Sequence, residues 1–179
     1  MQLFPQLVRL LPHLSRRREL VRVEPEALLN FHLSVMAVGD LAERLKERRA
    51  ASLAFYESCM DGSVDLERNP LIDWMQRYHP KGWHGASSPQ ERVELCGRFR
   101  DLFDDIRESG IREPMRLLEP ALFGQHKWHN FHDGTNRVCI AICLNLSSVP
   151  CLVHPSHRQE ISRLGLHVDE GNHPDNIDS

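Results

Sequence analysis

The chain predicts an α+β fold: a small mixed sheet packed by helices. Three observations point there. Apolar residues recur at helical spacing over two long stretches, about 25–60 and 89–109. Two short apolar runs flanked by proline, "IREPMRLLEP" and "VPCLVHP", have the length and borders of strands. Between them, the turn "HDGTNR" opens an almost wholly apolar helix, and alternation of this kind describes a layered α+β domain.

Taken in order, residues 1 to about 60 read as a helical N-terminal region. Pro25 stands where a first-turn proline is welcome, and Gly39-Asp40 kinks or divides the pattern that follows. Glu43, Lys46, Glu47 and Arg48 read most simply as a solvated face. "SRRRE" reads as a surface cluster ahead of a helix, with a phosphate-binding patch as the alternative. From "DGSVDLERNP" the character changes, and "LIDWMQRYHPKGWHGASSPQE" predicts a short helix and then a loop. Ser88, Pro89 and Glu91 form a capping-box start, with the serine as N-cap and the glutamate three residues on. The helix they open carries Val93, Leu95, Cys96, Phe99, Leu102, Phe103 and Ile106 along one broad face, and Gly110 is placed to end it.

"IREPMRLLEP" is then expected to be a strand, and "KWHNFHDG" a second one ending in an Asp-Gly turn. Residues 136–146 predict a helix that is apolar on all sides, hence one buried between layers. "VPCLVHP" is the third strand. The expected organisation is a helical region over 1–60, a domain over 61–155 and a loosely held acidic tail over 156–179.

Composition narrows the function. Hydrophobic residues make up 41% and charged residues 26%, which is globular. A net charge of −3 gives no general case for binding a polyanion, so duplex DNA is not the favoured partner. No apolar run approaches the ~18 residues of a membrane span. The five cysteines, unpatterned for a disulfide framework, fit a reducing, cytoplasmic setting. Cys139 and Cys143 read as small core hydrophobes at helical spacing.

The chemistry concentrates at the mouth of the apolar helix. A helix start leaves N–H groups unpaired and carries partial positive charge, so it suits an anion. Gly134 lets a phosphate approach the backbone, and Arg137, in the first turn, offers a fork of donors to the same anion. Asp133 can cap the helix, or stand opposite a bound metal or a hydroxyl awaiting deprotonation. The plainer alternative is a capped turn whose Arg137 pairs with a surface carboxylate.

The wider arrangement, "SGIREPMRLL" followed by "NFHDGTNRVCIAICLNLSSVPCLV", resembles the ParB/sulfiredoxin-like superfamily. The matching parts are the strand motif from Gly110 to Leu117, the D-G-x-x-R turn from Asp133 to Arg137, the apolar helix from Val138 to Leu146, and the strand Val149 to Val153. The resemblance spans roughly residues 92–155 and leaves the N-terminal third unplaced. It implies a ParB/sulfiredoxin-like domain that holds a nucleoside di- or triphosphate with Mg²⁺. Arg137 would be its phosphate-binding arginine, with Gly134, Thr135, Asn136 and His132 around the ligand and Asp133 as the catalytic group. A kinase or NTPase acting on a small hydroxyl-bearing molecule follows, and a non-catalytic nucleotide- or DNA-binding module is the alternative.

The turn departs from the family at two positions. Thr135 and Asn136 stand where sulfiredoxins carry a cysteine, which removes sulfinic-acid reduction. Asn136 also replaces the histidine that precedes the arginine in the kinase-like version, and asparagine cannot act as a base near neutral pH. Glu67 and Glu91 are candidates for the kinase-type glutamate.

His126, His129 and His132 recur every third residue, but strand alternation separates the middle one, so no metal site is predicted. His157 and Arg158 are second-tier phosphate candidates. Trp74, Trp83 and Trp128 read as packing, with base stacking by Trp83 the sharper alternative. The N-terminal helices are the expected partner-binding or dimerising element, with a homodimer as the form the latter would take.

Overall fold

In the computed structural model, residues 19–29, 40–117 and 134–153 are described. Their sheet is built from segments in which alternate residues turn inward. Strand β1 (Glu19–Val23) buries Val21 and Val23 and exposes the residues between, and β3 (Val149–Val153) buries Val149, Cys151 and Val153. The order is β1-β3-β2, with β2 at Met115–Leu117. β1 runs antiparallel to β3, pairing Val21 with Cys151, while β2 runs parallel to it, pairing Met115 with Cys151. The described sheet is therefore mixed, and its parallel pair β2 and β3 is joined by a crossover that contains a helix.

β1 corrects the expectation that residues 1–60 are helical throughout. "ELVRV" alternates apolar and polar with period two, and Pro25 closes the strand at its far end. Residues 25–29 then turn helical, so the proline takes the expected first-turn position.

Four longer helices stand among the described residues. α1 (Asp40–Asp61) starts beside the predicted Gly39-Asp40 break. α2 (Pro70–Tyr78) is capped by Asn69, whose side-chain oxygen accepts from the N–H groups of Leu71 and Ile72. α3 (Pro89–Ser109) opens with the predicted capping box and ends at Gly110 with φ +71°, a conformation that favours glycine. α4 (Thr135–Cys143) is shorter than the predicted 136–146. It stops because Asn145 turns left-handed (φ 53°) and the Leu146 N–H reaches back to the Ala141 carbonyl at 2.9 Å, closing a Schellman-type end.

The predicted faces pack as expected on α3, where Leu95, Cys96, Phe103 and Ile106 are buried and Val93, Phe99 and Leu102 are partly so. On α4, Val138, Cys139, Ile140 and Ala141 lie at the centre of the molecule. α1 packs along both α4 and α2, so elements from the region 1–60 share one core with those of 61–155. Phe55, Tyr56 and Phe103 form its aromatic middle, with the Tyr56 and Phe103 rings stacked 6.1 Å apart. The proposed strand "KWHNFHDG" and the tail after 155 lie outside the described residues.

Candidate functional site

Helix α4 begins without a side-chain cap. Gly134 is its N-cap and is buried, and the first backbone bond runs from the Val138 N–H to the Gly134 carbonyl at 2.9 Å. A glycine cannot supply the oxygen that Ser88 and Asn69 give to α3 and α2. The first-turn N–H groups of α4 are thus left for another acceptor.

Two side chains of that first turn face a cleft of about 270 Å³. Thr135 is only 6% exposed, and its Oγ1 has no hydrogen-bond partner. Asn136 Oδ1, also buried, is equally unpartnered. Buried hydroxyl and amide oxygens normally find a partner, because leaving one unsatisfied costs roughly 1–3 kcal/mol. Both atoms belong to residues that line the cleft.

The opposing wall supplies the charge. Arg48 comes from α1 and Arg98 from α3, and no described carboxylate lines the cleft. Arg48 corrects the expected solvated face. Its guanidinium carbon lies 4.9 Å from the ring centre of Trp83 and 5.8 Å from that of Trp74, and its Nε has no partner. Burial pushes its pKa down, opposed by the neighbouring Cys139 and Tyr56, but an arginine remains a cation at any working pH. Its position explains its burial: Arg48 sits one turn ahead of Ala51 and Ser52, on the same stripe as Phe55 and Tyr56. The i, i+3, i+4 spacing was visible in the sequence, hidden by the ordinary expectation that a charged residue faces water.

The aromatic support beneath Arg48 is itself held in place. Trp74 Nε1 donates to the Arg44 carbonyl at 3.1 Å. Trp83 packs edge-on to Trp74 and Phe99, and its N–H and carbonyl both bond Ala86. Arg92, buried at the start of α3, donates to the carbonyls of His79 and Pro80 and pins the loop to that helix. His84, at the rim of the cleft, is held at φ +49°, a left-handed conformation unusual for a residue other than glycine. Trp74 and Trp83 therefore serve as packing, as expected, and as the platform for a cation, which was not.

Arg137 occupies a different place. Its Nη1 donates to the Glu113 carbonyl at 2.8 Å, tying the first turn of α4 to the chain leading into β2. It lines a second cleft, of about 390 Å³, with Asp105, Arg112 and Glu113 among its walls. The expected convergence of Arg137 with Thr135 and Asn136 on one anion is thus divided between two clefts, since consecutive helical residues point about 100° apart. His132 and Asp133 lie outside the described residues, as do His126, His129, Trp128, His157 and Arg158.

Neither candidate glutamate lines the cleft of Thr135 and Asn136. Glu91 Oε2 accepts from the Ser87 and Ser88 N–H groups at 2.8 Å each and from the Ser87 hydroxyl, which holds its carboxyl down at about 2. Glu67 lies in the separate loop before α2. Among the described residues no group of three His, Cys, Asp or Glu side chains is placed to hold a metal ion, and no helix is long and apolar enough to cross a membrane. The cysteines are reduced and largely buried, and burial pushes the Cys139 and Cys151 thiols up to about 12.

No family model matches the chain, and neither a curated protein nor a solved structure shows significant similarity to it.

Proposed function

We propose that the protein binds the phosphates of a nucleotide at the first turn of α4, in the manner its resemblance to ParB/sulfiredoxin-like proteins implies. The observation that carries this reading is the unpartnered, buried Thr135 hydroxyl at a helix start without a side-chain cap. The Thr135 hydroxyl can donate to a phosphate oxygen, and the Asn136 amide can turn its NH₂ group toward one. The helix start adds N–H donors and partial positive charge, and Arg48 and Arg98 face the same space. Gly134 brings the backbone close to the ligand, and Arg137 steadies the turn through the Glu113 carbonyl.

The unpartnered Thr135 hydroxyl and the helix-start N–H groups are donors that fit phosphate oxygens. The described cleft walls offer a magnesium ion no carboxylate, so in this reading Mg²⁺ would be held chiefly by the phosphates themselves, and Asp133 lies outside the described residues. When bound, the ion would supply charge neutralisation for phosphoryl transfer to a small hydroxyl-bearing acceptor or to water. A module that holds the nucleotide without consuming it is the second reading. Asn136 favours it, because it replaces the histidine of the kinase-like turn with a group that moves no proton.

A thermal-shift panel of nucleoside mono-, di- and triphosphates, with and without magnesium, tests the proposal. Ligand at ~100 times its dissociation constant should stabilise the fold by about 2.7 kcal/mol. Magnesium-dependent release of phosphate or diphosphate separates the enzyme from the binding module. No response to any nucleotide would remove both. A gel shift that persists at physiological salt would instead point to nucleic acid.

A further inference from the structure

The charge and size of the cleft at α4 say more about the ligand than that it is a phosphate. Arg48 and Arg98 reach it from two different helices, and no described carboxylate in the walls balances either. The uncapped start of α4 adds further positive potential. A phosphate monoester carries about −1.5 to −2 near neutral pH, less than two guanidinium groups and a helix terminus together offer. Linked phosphates would match that charge. The volume agrees: about 270 Å³ lies below the roughly 300–1,000 Å³ of sites that enclose a whole drug-sized ligand. The cleft has room for a phosphate chain.

Arg48 is the better placed of the two cations. Its guanidinium rests against Trp83 and Trp74, which limits its freedom before any ligand arrives. Its buried Nε has no partner within the fold. Arg98 is exposed and reaches the cleft from solvent. A lysine at either position would offer a point charge without the fork that spans two phosphate oxygens.

We infer that the cleft takes the diphosphate end of a nucleotide, and that Arg48, held on its tryptophan platform, is the residue that selects two linked phosphates over one. The inference rests on the nucleotide reading above and adds the phosphate number and the selecting residue.

The test is isothermal titration of the full chain with inorganic pyrophosphate, a nucleoside diphosphate, the matching monophosphate and orthophosphate. Pyrophosphate and the diphosphate should bind, with the monophosphate and orthophosphate at least about tenfold weaker. Arg48→Met keeps much of the apolar stem on the tryptophans and should weaken the diphosphate about 10- to 100-fold, the range for losing hydrogen bonds from a charged group. Arg48→Lys should fall between the two. Arg98→Met changes an exposed residue and provides the result should Arg48→Met fail to fold; it should narrow the preference for diphosphate over monophosphate by about fivefold or more. Equal affinity for mono- and diphosphate would overturn the assignment of two phosphates. Wild-type diphosphate binding by Arg48→Met, or an unchanged preference in Arg98→Met where Arg48→Met does not fold, would overturn the role of the arginines and leave the nucleotide reading in place. Failure of all four ligands, with no nucleotide response in the thermal panel, would overturn both.

Discussion

Asn136 and Arg137 are neighbours in the chain, yet they serve opposite kinds of cleft. On the Asn136 side, two buried oxygens lack partners and two arginines meet no described carboxylate. On the Arg137 side, the guanidinium is bonded to a backbone carbonyl, and Asp105 and Glu113 stand among the walls beside Arg112. The first cleft has unmet polar groups and no described carboxylate to balance its arginines. The second has its hydrogen bond made and both signs of charge present. Polar groups left unsatisfied in a buried wall point to a ligand, whereas an arginine already bonded to the main chain points to architecture.

That contrast can be broken by substitution, and the largest effect should come from reversing charge on the first side. Arg48→Glu should abolish nucleotide binding at physiological salt, measured by titration calorimetry. Arg137→Met should instead lower stability by about 1–2 kcal/mol, since it removes a charged hydrogen bond at a partly exposed position, and should change nucleotide affinity by less than about threefold. Denaturant midpoints and titrations on the same variant separate the two effects. A large loss of affinity in Arg137→Met with little loss of stability would return Arg137 to the phosphate and dissolve the contrast.

Thr135→Val sharpens the comparison because its two effects have opposite sign. Valine has the same shape but no hydroxyl, so the unpartnered oxygen disappears. The free protein should gain about 1 kcal/mol of stability, while nucleotide affinity should fall by roughly two- to tenfold. If Oγ1 were satisfied within the fold, the stability change would be a loss.

The smallest effect concerns Glu91, the glutamate that the structure assigns to the cap of α3. Its folded carboxyl sits at about 2, below its ordinary 4.5, because the N–H groups of Ser88 and Ser87 favour the charged form. The sign follows: its contribution is fully present above pH 4.5 and is lost as pH falls through about 2. Glu91→Gln should therefore be slightly less stable than the parent at pH 7, with the difference vanishing at the acid end of a pH series of denaturant midpoints. The same substitution should leave nucleotide binding unchanged, and a change would reopen its candidacy as a catalytic group.

Much of the fold was legible because its signals are local. The Ser88–Glu91 capping box, the end at Gly110, the strands at 115–117 and 149–153 and the buried helix between them all follow from neighbouring residues. β1 was missed because five alternating residues next to a helical pattern form a strand only when β3 is there to pair with them. At the turn singled out in the sequence, Gly134 does start a helix without a side-chain cap, and Thr135 and Asn136 line a cleft. The sequence did not show that Arg137 would bond Glu113, 24 residues away, or that Arg48 would approach from another helix.

The sequence by itself determined the capping-box start at Ser88, the end at Gly110, the apolar faces of α3 and α4, and that a helix opens at residues 134–137. Caps, turns and periodicity act over four residues or fewer, so they are written where they are read. Only the tertiary structure decided which charges meet that helix start. Arg48 and Arg98 lie 87 and 37 residues before Thr135 and reach its cleft because α1 packs on α4 and α3 flanks it. A cation's partner is set by what surrounds it in space, and for Arg48 that surrounding is two tryptophan rings and a pair of unpartnered oxygens across a cleft.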